Sequence, residues 1–517
     1  MRIMGLGAVV GSVAALCVWG VSERVNGGTK PAATTQNSGS LPTTGKPRAI
    51  PPMTLGMNAG VPTVYSSEWA FNDLIKNNAD FTDGGNKIPF EVDAGGYLIN
   101  IGPVHDEITL TVQISKHWRE GKYDCVVTPG WSVKMRFNDG SISGSGEKFR
   151  LTIPRAIEGS LVSFVLNPER GTTKLDKLSC MPSGQPASLL NPAFIEDMKP
   201  FRVVRFMDWM RTNNLEPQTW SNRPLPTDLS VAYRGASVED MVATANALNS
   251  DPWFTLPFDA DETYYRNFAT YVRDHLAPGH KVYVELSNEV WNDGFKQAKD
   301  ALERGKKAYP GLDNQKATDY YYADRVRTLM DLWSSVFAAR PGSLVRVVAA
   351  QSVWAQRADD ILSHKDLWRH VDALATAPYF GNPIQDIVES GPARVDKVFA
   401  RLPGQIEKSV KDGVASKAVA DKYNLRFMTY EAGPDVIGFT PDATKDAETI
   451  ISDPRMYSLY MDFLRKWQAQ VGGLLVLYDS VGASTYSHKV YTGQPLAETP
   501  KMRALADFAK TLKTGSE

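Results

Sequence analysis

The stretch that decides the fold is KVYVELSNEVWND, residues 281–293. It begins with closely spaced apolar and aromatic residues, as a buried β-strand does. It then delivers an amide, a carboxylate and an indole in quick succession, from Asn288, Glu289 and Trp291. A strand that ends in these groups predicts a functional site at the carboxyl edge of a sheet.

Six other segments share this texture, and amphipathic stretches with the period of a helix separate them. They are FRVVRFMD (201–208), PWFTLPFDA (252–260), LVRVVAAQS (344–352), VDALATAPY (371–379), LRFMTYEAG (425–433) and GGLLVLYDS (472–480). Seven strands that alternate with helices predict a parallel sheet with helices packed outside it. An eighth strand, MTLGMNAGV (53–61), precedes the helix-like segment EWAFNDLIKNN (68–78).

The count of eight predicts an α/β fold of the TIM-barrel type, (β/α)8. We expect its first unit at residues 52–79 and the remainder at residues 187–517. The alternative is an open doubly wound sheet. It has less support, because no glycine-rich phosphate loop follows the first strand.

Residues 80–186 have a different pattern. Short runs with alternating apolar residues, such as ITLTVQIS (108–115) and KFRLTIP (148–154), are separated by Gly and Asn/Asp turn signals. This pattern predicts a small antiparallel β-sandwich inserted between the first and second barrel units. Such a module either binds glycan through Trp118 or Trp131 or buttresses the barrel.

The N-terminal segment predicts export from the cytoplasm. Arg2 is followed by an uncharged run, residues 3–21, so residues 1–22 have the pattern of a secretory signal or, if they are not cleaved, of a membrane anchor. Residues 23–51 are expected to form a disordered linker. The protein is therefore expected to be secreted or periplasmic. In such a compartment, Cys125 and Cys180 either form a disulfide or stay as two buried thiols.

Composition excludes some classes of function. With 22% charged residues and a formal net charge of -1, the chain gives no electrostatic reason to expect nucleic acid as a partner. No Cys/His cluster has the spacing of a zinc site, so no metal and no cofactor is predicted. The 12 Trp and 20 Tyr residues suit either core packing or stacking against sugar rings.

Two strand-end carboxylates stand out, because parallel strands bring their carboxyl ends to one face of a barrel. Glu289 ends the fourth predicted strand and Glu431 ends the seventh, so the two converge across the barrel mouth. Cleavage of a glycosidic bond needs such a pair. One carboxylic acid protonates the leaving oxygen, while one carboxylate attacks or stabilises the anomeric carbon.

The segments VELSNEVWN (284–292) and FMTYEAG (427–433) resemble those of clan A glycoside hydrolases, which are retaining (β/α)-barrel enzymes. In that clan an Asn–Glu pair ends strand four and a second Glu ends strand seven. The resemblance implies that Glu289 is the general acid/base, that Glu431 is the nucleophile and that Asn288 binds the sugar 2-hydroxyl. It covers the barrel and does not extend to the β-module.

The resemblance also assigns two residues to the nucleophile. It implies that Arg205 keeps Glu431 ionised and that Tyr379 holds it in line. This sequence departs from the pattern of the clan at two positions. Val290 follows the acid/base where many members have Pro, and the eighth strand offers Tyr478 where Trp is common.

Further candidates for substrate binding lie near these strand ends. They are Trp291, Asn292, Asp208, Trp209, Trp220 and Tyr478. Asp259 and Asp261 either bind hydroxyl groups or cap the helix before Tyr264. His488 either faces the cleft or lies at the surface, and the surface position is the one we expect.

The function expected from the sequence is a retaining glycoside hydrolase that acts on an oligo- or polysaccharide without a cofactor. A transglycosylase would use the same site. A non-catalytic glycan-binding protein of the cell envelope is the alternative from a different class.

Overall fold

Eight parallel strands close into a barrel in the computed structural model of the protein. The structure describes residues 48–81, 91–100, 108–113, 117, 119–136, 141–154, 162–169, 171–185, 188–384, 386–482 and 484–514. The barrel strands, in order around the barrel, are β1 (Thr54–Asn58), β11 (Val203–Arg205), β12 (Asp251–Leu256), β13 (Val282–Leu286), β14 (Leu344–Ala349), β15 (Ala373–Thr376), β17 (Arg426–Thr429) and β19 (Leu474–Leu477). Seven predicted strand segments contain one of them in full, and β12 begins one residue before its segment, 252–260, so the barrel is confirmed. Two short strands outside the barrel, β16 (Tyr379–Phe380) and β18 (Gly433–Pro434), pair with each other.

Helices cover the outside of the barrel. They are α1 (Leu74–Asn78), α2 (Pro192–Met198), α3 (Val231–Arg234), α4 (Val238–Leu248), α5 (Glu262–His275), α6 (Lys296–Ala308), α7 (Asn314–Val336), α8 (Ala355–Ser363), α9 (Pro392–Lys422), α10 (Pro441–Ser452), α11 (Arg455–Gln470) and α12 (Pro500–Thr514). The segment 68–78 was expected to be helical throughout, but its helix begins only at Leu74, where Asp73 accepts a hydrogen bond from the Ile75 backbone and caps it.

Buried apolar residues on both faces of each strand hold the barrel together. All five residues of β13 are buried, as are all six of β12. The inward side chains, among them Trp253 and Tyr430, form one core inside the barrel, and a larger core lies between strands and helices. Strands buried on both faces read as continuous apolar runs, which is why the sequence locates them well.

The region between β1 and β11 forms antiparallel sheets. The strands are β2 (Glu91–Val92), β3 (Leu98–Asn100), β4 (Ile108–Gln113), β5 (Gly121–Val127), β6 (Trp131–Arg136), β7 (Ser141–Ser145), β8 (Lys148–Ile153), β9 (Val162–Pro168) and β10 (Leu178–Pro182). One sheet has the order β10-β5-β8-β7 and another the order β4-β9-β6, and both contribute to a shared apolar core. A β-module thus stands between the first and second barrel strands along the chain. Its exact boundaries, 80 and 186, stay predictions.

A disulfide joins Cys125 on β5 to Cys180 on β10, which settles the alternative that the sequence left open. The two residues face each other in the antiparallel register of these strands. Trp131 is 1% exposed, and its Nε1 donates to the Lys174 carbonyl at 2.6 Å, so it is a core residue and not a glycan platform. Trp118 lies outside the described residues.

The module packs on the barrel through apolar side chains. Trp69 and Ile75, from the segment after β1, belong to the core of the module, and Leu229 reaches it from the barrel side. Arg119 adds hydrogen bonds to the Phe71 and Asn72 carbonyls at 3.1 and 3.0 Å. These contacts support the buttressing role.

The N-terminal predictions fall mostly outside the described part of the chain. The predicted signal or anchor segment, 1–22, lies outside it, and so does the predicted linker up to residue 47. Within the described ranges, no helix has the length and apolar character needed to cross a membrane.

Candidate active site

The two glutamates of the sequence motifs lie at the carboxyl face of the barrel. Glu289 follows β13 by three residues, and Glu431 follows β17 by two. The backbone after β13 is unusual, because Ser287 and Glu289 have φ angles of 60° and 45°. Non-glycine residues adopt this left-handed region at an energetic cost, and strained residues of this kind tend to cluster at active sites.

Glu431 has a hydrogen-bond donor on each carboxylate oxygen. Arg205 Nη1 donates to Oε1 at 2.9 Å, and the Tyr379 hydroxyl donates to Oε2 at 2.8 Å. The bond from Arg205 is a charge-assisted hydrogen bond, which is stronger than one between neutral groups. The arrangement also fixes the direction in which Glu431 presents its lone pairs.

Arg205 is fully buried and links several strand ends. Its guanidinium donates to Glu285 Oε2 at 3.0 and 3.2 Å, to Asn58 Oδ1 at 3.0 Å and to Asn288 Oδ1 at 2.8 Å. Burial opposes the charge on Arg205, but the carboxylates of Glu285 and Glu431 more than offset it and raise its pKa. A guanidinium with five fixed donors suits this role better than an ammonium does.

Glu285 is the buried carboxylate inside the barrel that forms an ion pair with this arginine. It is fully buried, and besides Arg205 it accepts a hydrogen bond from Trp253 Nε1 at 2.9 Å. Burial raises its pKa to about 7, although Arg205 opposes the rise. Its Oε1 has no hydrogen-bond partner among the described residues.

Glu289 has the opposite electrostatic setting. Its oxygens accept hydrogen bonds from the Tyr430 hydroxyl and from Asn292 Nδ2, both at 3.0 Å, and no cation binds it directly within the described residues. Burial, together with the negative charge of Glu431, raises the pKa of Glu289 well above its usual value. Of the two glutamates, only Glu431 has a cation on its carboxylate, and the pKa of Glu289 is raised. Acid–base catalysis by two carboxyl groups needs such a difference in setting.

Further carboxyl groups lie buried near Glu431. Burial raises the pKa of Asp479, after β19, to about 6, and raises the pKa of Asp208, after β11, well above its usual value. The charge of Glu431 adds to both rises. Glu68 also has its pKa raised by burial, to about 7, although Trp209 Nε1 and the Gly60 backbone donate to it.

A cavity of about 610 Å³ opens beside Glu289. Trp291, Asn292 and Tyr379 line it, as do residues of helices α6 and α7 and of the loop after β14. This volume falls within the range of small-molecule sites.

Most predicted site residues converge here. Tyr478 lies in an aromatic cluster with Tyr486, whose ring also packs at 5.5 Å against Tyr379. The residues that the structure brings together at the mouth are Glu289, Glu431, Asn288, Arg205, Tyr379, Trp291, Asn292, Asp208 and Tyr478.

Two predicted tryptophans lie elsewhere. Trp209 is 2% exposed and packs against Phe71 and Phe206, so its indole belongs to the hydrophobic core. Trp220 packs edge-on against Tyr264 at 6.1 Å and does not line the cavity. Residue type alone could not separate these indoles from Trp291, because core packing and sugar stacking use the same side chain.

The structure decides the predictions for three polar residues, Asp259, Asp261 and His488. Asp261 accepts a hydrogen bond from the Tyr264 backbone at 2.6 Å and caps α5, while Asp259 pairs with Arg304 at 2.6 Å. The surface position expected for His488 is wrong. The ring is buried, bonded to the Tyr460 hydroxyl at 2.6 Å, and burial lowers its pKa to about 3.

The sequence analysis missed three groups that position the pair, namely Asn58, Glu285 and Tyr430. Each follows or lies within a strand already identified as buried. A glutamate inside an apolar run such as VYVEL was a usable signal, because an acidic side chain in that position must find a partner. Among the described residues, no cluster of His, Cys, Asp and Glu could hold a metal ion.

No protein-family model and no curated protein matches the sequence. Among solved structures, the chain is similar to the family 51 arabinofuranosidase from Xanthomonas axonopodis pv. citri, with 12% identity and a TM-score of 0.42 over 63% of this chain and 68% of that one. It is also similar to the endo-β-1,4-mannanase from Thermotoga petrophila, with 10% identity and a TM-score of 0.31 over 63% and 73% of the two chains. By name both are glycoside hydrolases, the class that the two glutamate motifs resemble, but scores of this size identify neither the family nor the substrate of this chain.

Proposed function

We propose that the protein is a retaining glycoside hydrolase that cleaves an oligo- or polysaccharide by double displacement. The observation that carries the proposal is the opposite setting of the two glutamates. Glu431 has a cation and a phenol on its two oxygens, whereas burial and the neighbouring anion keep Glu289 protonated. Retaining cleavage needs one carboxylate and one carboxylic acid at a separation of about 5 Å.

In the first step, a lone pair of Glu431 attacks the anomeric carbon and forms a glycosyl ester. The bond to the glycosidic oxygen breaks, and Glu289 transfers its proton to that oxygen, so the leaving group departs as a neutral alcohol. Asn288 is in place to bind the 2-hydroxyl, because its Oδ1 is fixed by Arg205 and its amide points towards Asn213.

In the second step, water attacks the anomeric carbon of the ester. Glu289, now a carboxylate, takes one proton from this water, and Glu431 leaves as a carboxylate. Both glutamates return to their starting protonation states. The configuration at the anomeric carbon is retained because it is inverted twice.

The assay that tests the proposal is product release from a broad polysaccharide panel. Wild type is compared with Glu289→Gln, Glu431→Gln and the surface control Glu407→Gln. We expect both site variants to lose most of the rate, by about a hundredfold or more, with no loss in the control. On an aryl glycoside with an activated leaving group, Glu289→Gln should lose less than Glu431→Gln, because such a leaving group needs little protonation.

Other outcomes separate the alternatives. Products longer than the substrate would identify a transglycosylase. Binding of a glycan without turnover would favour a non-catalytic binding protein, and full activity in either glutamine variant would refute the assigned pair. Export is part of the proposal, since residues 1–22 have the pattern of a signal or anchor. Fractionation of the producing cells tests it.

A further inference from the structure

The loops after β11 and β13 are joined beside Asn288 by one buried side chain. Gln297, the second residue of α6, is 4% exposed and makes three hydrogen bonds through its amide. Its Nε2 donates to the Asn288 carbonyl and to Asn213 Oδ1, both at 2.8 Å, and its Oε1 accepts from the Asn214 backbone at 3.1 Å. Asn213 and Asn214 belong to the loop after β11, so Gln297 joins that loop to the turn that carries Glu289.

Main-chain groups fix the orientation of the Gln297 amide. Rotation of a side-chain amide by half a turn would exchange the places of its oxygen and its nitrogen. Here the backbone N–H of Asn214 can only donate, and the backbone carbonyl of Asn288 can only accept. Gln297 must therefore present its oxygen to Asn214 and its nitrogen to Asn288. The second hydrogen of this nitrogen goes to Asn213.

This orientation in turn fixes the side chain of Asn288. Because Gln297 donates to Asn213, the amide oxygen of Asn213 faces this junction. The same oxygen accepts from Asn288 Nδ2 at 3.3 Å, so Asn288 turns its nitrogen towards Asn213. On its other side, Asn288 Oδ1 accepts from Arg205 Nη2 at 2.8 Å, and a guanidinium can only donate. Both neighbours thus require the same orientation of the Asn288 amide.

Helix α6 is itself fixed to the loop after β11, which holds Gln297 in place. Phe295, at the N-cap position of α6, makes no side-chain hydrogen bond to the helix. Asn214 Oδ1 takes that role from 82 residues away and accepts from the Lys296 backbone at 2.8 Å. Asn214 has a φ angle of 62°, which asparagine adopts more readily than most residues. The helix end and the loop therefore hold each other.

One hydrogen of Asn288 Nδ2 is available to a ligand. An amide nitrogen carries two hydrogens, and Asn213 accepts one of them. Within the described parts of the chain, no other acceptor bonds to this nitrogen. The next residue along the chain is Glu289, so the available N–H lies beside the acid/base of the proposed reaction.

We infer that Gln297 and Asn213 are positioning residues, which set the Asn288 amide so that its N–H, and not its oxygen, faces the sugar 2-hydroxyl. A donor that is already oriented favours the transition state, in which the contact to the 2-hydroxyl strengthens. This inference rests on the proposed function, because it concerns the sugar that Glu431 attacks.

The test compares one substrate with and without its 2-hydroxyl. The probes are the shortest glycoside that wild type cleaves and the same glycoside made with a 2-deoxy sugar at the attacked position. Asn213→Leu removes the accepting oxygen at similar size, and Gln297→Glu places a carboxylate, which cannot donate, in a side chain of the same shape. We expect each variant to lose about tenfold more kcat/KM on the parent glycoside than on the 2-deoxy analogue. A merely structural role would lower both rates alike.

Two matched variants complete the test. Asn213→Asp keeps an oxygen that accepts from both Gln297 and Asn288, so it should recover most of the loss seen in Asn213→Leu. Asn246→Leu is the control, since this amide bonds two main-chain groups at the end of α5 and none of the groups around Asn288. It should leave the ratio of the two rates at the wild-type value.

The outcomes separate this inference from the proposed function. Equal losses on the two glycosides, or a wild-type ratio in both Asn213→Leu and Gln297→Glu, overturn the inference and leave the double displacement standing. Equal cleavage of the two glycosides by wild type does the same. A wild type that cleaves no glycoside and no polysaccharide overturns both.

Discussion

The barrel mouth and the β-module are stabilised in different ways. At the mouth, Arg205, Glu285 and Glu431 are buried charges, and Asp208 and Asp479 have raised pKa values close by. The core of the module is apolar, and a disulfide joins two of its strands. Burying charge opposes folding, whereas burying apolar surface and closing a chain loop favour it.

This difference indicates that the barrel mouth, and not the module, contains groups that lower stability but serve function. Buried carboxyl groups oppose folding, but under the proposed function they would provide an acid and a nucleophile with distinct roles. Among the described residues of the module no carboxyl group is buried, as expected if the module buttresses the barrel. We therefore expect mouth variants to change activity and its pH dependence, and module variants to change stability alone.

The largest effect is expected for Arg205→Lys. A lysine ammonium cannot make the four contacts with Asn58, Glu285, Asn288 and Glu431 together, so kcat should fall about a hundredfold to a thousandfold. The matched control is Arg394→Lys, which alters a buried pair with Asp446 that makes no contact with Glu289 or Glu431. If Arg205→Lys does not fold, Tyr379→Phe tests the same idea by removing one donor from Glu431, and kcat that stays at the wild-type value would contradict it.

The next effect concerns the module. Cys125→Ser with Cys180→Ser opens a chain loop closed across 55 residues, which should lower the free energy of unfolding by about 2 to 4 kcal/mol. Denaturant melts followed by circular dichroism measure this change. Activity under native conditions should be unchanged, and a lower kcat in the folded double variant would show that the module shapes the site.

A pH-dependent effect is expected for Glu68→Gln. The pKa of Glu68 is about 7 in the folded chain against 4.5 as its ordinary value, so folded protein holds a proton that the unfolded chain has released. Stability should therefore fall as pH rises through this window, by about 3 kcal/mol from this group. Glu68→Gln should remove that part of the slope between pH 4 and pH 8, and Glu407→Gln should not. An unchanged slope in Glu68→Gln would contradict the prediction.

The smallest effect is expected for Asn292→Ala. Asn292 donates to Glu289 and favours its charged form, so its loss should raise the pKa of Glu289 further. The alkaline limb of the kcat/KM profile should then move to higher pH by about half a unit to one unit. Asn222→Ala, at an exposed position outside the cavity lining, is the control. A shift to lower pH in Asn292→Ala would be evidence against Glu289 as the acid.

The same comparison explains how much could be predicted from the sequence. The barrel strands were found because strands buried on both faces read as unbroken apolar runs. Glu289 and Glu431 were found because they end such runs. The supporting groups Asn58 and Glu285 were missed, because a polar residue inside a strand carries a role only through its partners, which lie far away in sequence.

The tryptophans show most clearly which property, their burial, could not be predicted from the sequence. Trp291 lines the cavity, Trp209 is in the core, and Trp131 is in the core of the module. The local sequence around each contains both polar and apolar residues, so it does not indicate burial. Burial is set by how strands and helices pack together in space.

The reach of Arg205 has a consequence for folding. Its partners Asn58 and Glu431 lie 147 and 226 residues away along the chain, on the first barrel strand and just after the seventh. Contacts at such separation form only after long loops have closed, which makes them late events. Until β17 docks, Arg205 lies inside the incomplete barrel without one of its two anionic partners. Because a buried charge that lacks a partner is destabilising, the incomplete barrel is less stable. The docking of β17 therefore both extends the sheet and brings Glu431 to Arg205. We expect activity regained during refolding to follow the slowest structural phase.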